Sequence, residues 1–130
     1  MYHSTTHDIT VSVESSFLDN ESNPDENIYF WSYRVKIENN SKDPVTLRTR
    51  HWKITDAYGR IQEVRGSGVV GEQPVLRPGE SFEYTSGTPL PTPSGIMTGS
   101  CQMEKYGGSV LEVKIPAFSL DSPHQPRLIN

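Results

Sequence analysis

Hydrophobic and polar residues alternate along much of this chain, and a period of two is the mark of half-buried β-strands. From Asp8 onward Ile9, Val11 and Val13 share a face, with Phe17 in phase further along. The clearest run is Asn27 to Asn40, where Tyr29, Trp31, Tyr33, Val35 and Ile37 lie opposite Ser32, Arg34, Lys36 and Glu38. Asn39 to Pro44 reads as a turn. Val45 and Leu47 open the next strand, but Trp52 and Ile54 have the other parity. A bulge between Thr49 and His51 would return both pairs to the core. Asp56-Ala57-Tyr58-Gly59 closes a hairpin into Ile61 to Val64, and the glycine-rich passage that follows predicts a change of sheet near Gly66. Pro89, Pro91 and Pro93 mark a second crossing, or a sheet edge. Met97, Gly99, Cys101 and Met103 share a phase; Tyr106-Gly107-Gly108 then turns into a strand with Leu111, Val113 and Ile115 inward. Pro116 and Pro123 are expected to end regular pairing. No stretch reads as a helix of useful length.

These elements predict an all-β fold, an antiparallel β-sandwich of about seven to eight strands of the fibronectin type III or immunoglobulin-like kind. A single domain over residues 8–122 is expected, with a loose N-terminal tail over 1–7 and an exposed C-terminal tail over 123–130. Ten glycines and ten prolines spread along 130 residues agree with a turn-rich chain. Cys101 is the one cysteine. No intramolecular disulfide can form, so Trp31 suits the disulfide-free fibronectin type III relatives better.

Charge and targeting signals narrow the function classes. A formal charge of −4 argues against nucleic-acid binding, which needs a basic face. There is no cationic start followed by an apolar segment and no long apolar run, so membrane insertion is not expected and a cytoplasmic location is. The acidic loop Asp19 to Asn27 lacks the ligand spacing and glycine of an EF-hand and reads as a solvated connection.

Candidate chemistry is sparse. Gly66, Gly68 and Gly71 fit G-x-G-x-x-G, but Pro74 and Pro78 deny the helix a dinucleotide site requires. Two readings stay open. The amides of Gly66, Ser67, Gly68 and Gly71 form an anion-binding nest, with Arg65 and Arg77 the nearby cations; or the glycines serve only positive φ and close strand approach. His3 is third in the chain, and a free terminal amine, two deprotonated amides and its imidazole make the square-planar nitrogen set that Cu(II) or Ni(II) prefers. His51 reads as a surface histidine and His124 as solvated. Cys101, in phase with core methionines, reads as an inert thiol. No nucleophile elbow is present, no catalytic residues are identified, and no cofactor is expected.

One resemblance covers most of the chain. Tyr29 to Asn39, Arg50-His51-Trp52-Lys53-Ile54-Thr55-Asp56, Gly59-Arg60, Gly66 to Gly71 with Gln73-Pro74, Pro78-Gly79-Glu80, Tyr84-Thr85-Ser86-Gly87, Gly95-Ile96-Met97-Thr98-Gly99 and Ile115-Pro116-Ala117-Phe118 resemble the ApaG family in order and spacing. Ser100-Cys101-Gln102 departs from it, standing where the family more often has a bulkier, aromatic-containing run. The resemblance implies a fibronectin type III-like sandwich without known catalytic residues. It also implies an indirect association with cobalt and magnesium tolerance, and bacterial genes lying near a diadenosine tetraphosphatase. Similar eukaryotic domains, attached to F-box and DNA-polymerase-interacting proteins, look like protein-binding modules. The expectation is therefore a non-catalytic module acting through a protein partner. A binder of phosphorylated small molecules, such as pyrophosphate or diadenosine polyphosphates, is the alternative.

Overall fold

A computed structural model describes residues 1–69 and 71–124. The described residues form nine strands: β1 Tyr2–Thr6, β2 Ile9–Phe17, β3 Tyr29–Asn39, β4 Val45–Asp56, β5 Ile61–Ser67, β6 Val75–Leu76, β7 Ser81–Leu90, β8 Ser94–Lys105 and β9 Val110–Asp121. One sheet has the order β1-β2-β3-β7; the other has β5-β4-β8-β9, with β6 also paired to β4. All pairings are antiparallel. The sheets meet across one core, built from the in-phase residues of β2, β3, β4, β8 and β9. Tyr33, Trp52 and Phe118 lie near its centre, with Trp52 edge-on to Tyr33 at 5.1 Å and perpendicular to Phe118 at 6.0 Å. Such aromatic pairs add directional packing to their apolar burial.

The sandwich bears out the expected fold, and four local expectations need correction. Residues 1–7 are not a loose tail: Tyr2 to Thr6 pair with β2 from Val13 back to Ile9. The turn between them rests on His7 and Asp8, at φ 52° and 62°. Both are residue types that enter the left-handed region more readily than most, and two such residues make the tight turn that matches strand twist. Of the C-terminal tail, residues 125–130 lie outside the described residues.

The bulge in β4 falls between Leu47 and Thr49, earlier than expected, and leaves Arg48 out of the ladder with β8. Both parity pairs still reach the core, because one skipped residue anywhere between them suffices. The site is fixed by what lands on it: the Arg48 carbonyl accepts from the Gly68 amide at 2.7 Å and the Gln73 side chain at 3.0 Å.

The chain does not change sheet near Gly66. β5 and β6 pair in succession with the same strand β4, so the glycine-rich stretch turns out of that sheet and returns to it. The crossing comes after β6. There Asn39, fully buried, accepts from the Gly79 amide at 2.7 Å through its carbonyl, and its side-chain amide donates to the Leu76 carbonyl at 2.9 Å.

Pro116 does not end pairing either. β9 continues to Asp121, and its register against β8 shifts between Met97 and Gly99, so that Pro116 and Ala117 oppose a single residue. A proline without an N–H fits there because the site is a bulge on an edge strand. The expectation for Pro89 to Pro93 holds: Pro89 lies in β7, an edge strand, and Pro91 and Pro93 lie in the crossing to β8.

Candidate functional site

The outward residues of β4 and β5 follow from strand parity. Trp52 and Ile54 point into the core, so Thr49, His51 and Lys53 point out, and their partners Ser67, Arg65 and Glu63 lie beside them. Ser100 and Gln102 of β8 floor the same face. The result is a shallow dish of about 450 Å³ walled by Arg50, His51, Arg65, Gly66, Ser67 and Glu112. Three of the expected anion-site residues, Arg65, Gly66 and Ser67, meet here. Gly68, Gly71 and Arg77 do not line it. Arg77 sits at the crossing, where its amide donates to Glu80 Oε1 at 2.7 Å.

Part of the expected amide nest is spent elsewhere. The Gly68 amide is committed to the Arg48 carbonyl, and the Val69 amide to the Glu72 carbonyl at 2.8 Å. Val70 lies outside the described residues. The loop turns carbonyls toward its neighbour instead: Arg50 Nη1 donates to the Gly68 oxygen at 2.7 Å and, at 3.4 Å, to that of Ser67. Gly68 has φ 60°, and a Cβ there would stand 2.0 Å from the Glu72 carbonyl oxygen. No side chain fits. This glycine is explained by structure alone.

The dish is not an open cationic surface. Glu63 Oε1 lies 3.1 Å from His51 Nε2 and 3.9 Å from Arg65 Nη2, and Glu112 stands on another wall. An anion entering here meets Arg65 already partnered.

Sequence reasoning missed Arg50. It lies in the inward phase of β4 with Trp52 and Ile54, half-buried, where an apolar residue is the usual occupant. A Cβ on Gly66 would come within 2.9 Å of Arg50 Nη1, so the glycine lets the guanidinium lie across β5. With the bulge located correctly, parity alone marks Arg50 as an inward-pointing cation.

The remaining candidates separate. His3 is held in β1 opposite Ser12, and successive strand amides point to opposite sides. The four-nitrogen copper set would therefore need Met1 to His3 to leave the strand. His51 is partly exposed, as expected. His124 is exposed, as expected, with its ring 5.7 Å from Phe17. Cys101 is fully buried, and burial pushes its thiol up to about 12, against the lowering pull of Arg50. It is an inert core thiol at neutral pH. Among the described residues no group of three His, Cys, Asp or Glu side chains is placed to hold a metal ion, and no helix is long and apolar enough to cross a membrane.

The strand β5 differs from every long strand around it. None of its seven residues is buried. It forms one edge of its sheet, and Ile61 and Val64 are 55% and 37% exposed. Val64 pairs with Trp52 and so points toward the inside of the sandwich, yet it stays partly exposed.

Comparison with known proteins places this chain among relatives of one kind. The family model of the ApaG domain matches residues 19–105. Protein ApaG of Paramagnetospirillum magneticum is 61% identical over 129 residues, covering 98% of this chain and 99% of the relative. Protein ApaG of Brucella anthropi is 58% identical over the whole of both chains. A crystal structure of an ApaA protein from Bordetella pertussis superposes with a TM-score of 0.87 at 46% identity, covering 93% of this chain and 98% of that one. The C-terminal domain of Wzt has a TM-score of 0.56 at 10% identity, covering 96% of this chain and 79% of that one, a likeness of fold alone.

Proposed function

The chain belongs to the ApaG domain family, and from that premise we propose that it is a non-catalytic module that binds a protein partner along β5. The observation behind this reading is the strand itself. β5 is paired on one side only, and its outer edge presents a row of backbone donors and acceptors to solvent. Such an edge accepts an added strand from another chain, with main-chain hydrogen bonds giving affinity and alternate side chains giving selectivity. Ile61 and Val64 supply exposed apolar contact, and Glu63 and Arg65 supply charge. In this reading the tie to cobalt and magnesium tolerance runs through the partner and is indirect.

A second reading is favoured by the meeting of Arg65, Gly66 and Ser67 in the dish. A pyrophosphate or diadenosine polyphosphate would be held there by side chains rather than by amides. Glu63 and Glu112 oppose it, so affinity would be weak and sensitive to salt.

One experiment tests both readings. Tagged wild type and the double variant Ile61→Lys/Val64→Lys are used for affinity purification from native lysate, with and without added diadenosine tetraphosphate. The expected outcome is a protein retained by wild type, lost from the variant, and indifferent to the nucleotide. Equal retention by both forms removes β5 from the proposal. Release by the nucleotide supports the second reading.

A further inference from the structure

Between β5 and β7 the two sheets stand apart and leave a cleft of about 140 Å³. Arg50, Trp52 and Ser86 line it, together with the apolar side chains of Ile54, Val64 and Met97. It shares Arg50 with the dish, which otherwise lies on the outer face of the same sheet. Its polar groups are unusual for a sandwich interior. Trp52 is 2% exposed and its indole Nε1–H has no hydrogen-bond partner. Tyr84, on the same face of β7 as Ser86 but not itself among the lining residues, is 7% exposed and its hydroxyl is also unpartnered. Both Arg50 and Trp52 act on that hydroxyl, although no bond of good geometry closes between indole and phenol. Burial, with lesser contributions from Cys101 and Tyr33, raises the Tyr84 phenol far above its ordinary range, so it stays a donor at any working pH.

Arg50 completes the set. Its guanidinium donates to two backbone carbonyls, and no ion pair among the described residues includes it. An unpaired half-buried cation and two orphaned buried polar groups are each costly, and native structures rarely leave them without a reason. The cleft therefore has a charge without its counter-charge, and unpartnered donors in the wall behind it. Water would serve the donors but not the charge. A carboxylate serves both, since it only accepts hydrogen bonds and matches the fork of a guanidinium. The apolar half of the lining asks for something more than the carboxylate. An apolar cavity of about 150 Å³ admits benzene, so this one suits a ligand of about six heavy atoms.

We propose that the cleft between β5 and β7 binds a small carboxylate with a short apolar tail, its charge on Arg50 beside Trp52 and Tyr84 and its tail against Ile54, Val64 and Met97. The inference does not depend on a protein partner or on phosphate in the dish.

The chain has two tryptophans, so a nitrogen-15 spectrum shows two indole cross-peaks, assigned with Trp31→Phe. Trp31 is an internal control, because its Nε1 is also buried and unpartnered but it is not among the residues lining the cleft. Butyrate, acetate and inorganic phosphate are titrated in turn. The expected result is a saturable millimolar shift of the Trp52 indole with butyrate, a weaker response to acetate, and a still Trp31. Arg50→Lys should weaken butyrate at least tenfold. Tyr84→Phe, which removes only the hydroxyl, should weaken it severalfold at an unchanged unfolding midpoint, and decides the matter if Arg50→Lys does not fold. A Trp52 indole unmoved by butyrate, or equal affinity in wild type and Tyr84→Phe, overturns the site. Phosphate acting as strongly as butyrate overturns the role of the apolar tail.

Discussion

The two long sides of this sandwich handle the same problem differently. On one side, β1 lies against β9 and dresses its edge with hydroxyls. Ser4 Oγ donates to the Lys114 carbonyl at 3.0 Å, the Lys114 amide donates to Thr6 Oγ1 at 3.3 Å, and Tyr2 and Ser119 share a bond at 3.1 Å. The Tyr2 ring also approaches Phe118 at 6.1 Å. That side is closed. On the other side β5 and β7 flank a cleft, Val64 is left partly exposed beside it, and Arg50 enters the gap without a counter-charge. Sheet edges attract other chains unless they are covered. Here the β9 edge is covered by side chains and the β5 edge is not.

That contrast can be broken most severely from the open side. Gly68→Val would force a Cβ against the Glu72 carbonyl at a positive φ and detach the loop from the β4 bulge. A loss of about 3 kcal/mol is expected, read as a lower urea midpoint at unchanged slope. An unchanged midpoint would return the glycines to a functional role. The closed side should respond less. Ser4→Ala with Thr6→Val removes the hydroxyl dressing of β9 and should cost about 1 kcal/mol. The matching pair on the open side, Glu63→Ala with Arg65→Ala, should change stability by no more than about 0.5 kcal/mol, because exposed ion pairs are weak. Equal costs on the two sides would remove the distinction between them.

The smallest effect concerns pH at the hairpin that leads into β5. The Asp56 side chain is only 5% exposed and receives the Tyr58 and Arg60 amides at 2.9 and 3.0 Å and Arg60 Nε at 2.8 Å. Burial alone would raise its carboxyl, but the amides of Arg60 and Tyr58 and the Arg60 guanidinium together hold it below 3.8. A carboxyl with a depressed folded value stabilises fully above its unfolded value and loses that contribution as pH falls through the folded one. Wild type should therefore lose stability on acidification below 3.8 more steeply than Asp56→Asn, the two curves converging at low pH. Parallel urea midpoints across that range would show that Asp56 carries no linkage.

Much of the fold was legible because burial on one face writes a period of two into the chain. Tyr29 to Ile37 shows it plainly, and Met97, Cys101 and Met103 fall inward as their phase requires. β1 was not legible: its residues are mostly polar, none is buried, and its turn uses His7 and Asp8 where glycine or asparagine is the familiar sign. The site was less legible than the fold. Arg65, Gly66 and Ser67 were found because they are neighbours in sequence. Arg50 was overlooked because the bulge was set too late and its parity misread.

Alternation along the chain by itself determined the apolar strands, most of their inward faces and the sandwich class, since each follows from local spacing. Only the tertiary structure decided that the glycine-rich loop stays on one sheet, spends amides on the Arg48 carbonyl and on its own, and turns its oxygens to Arg50. It alone decided that β1 closes one side while β5 leaves the other open. These outcomes depend on which distant backbone groups are free to pair, and a period of two carries no record of the partner.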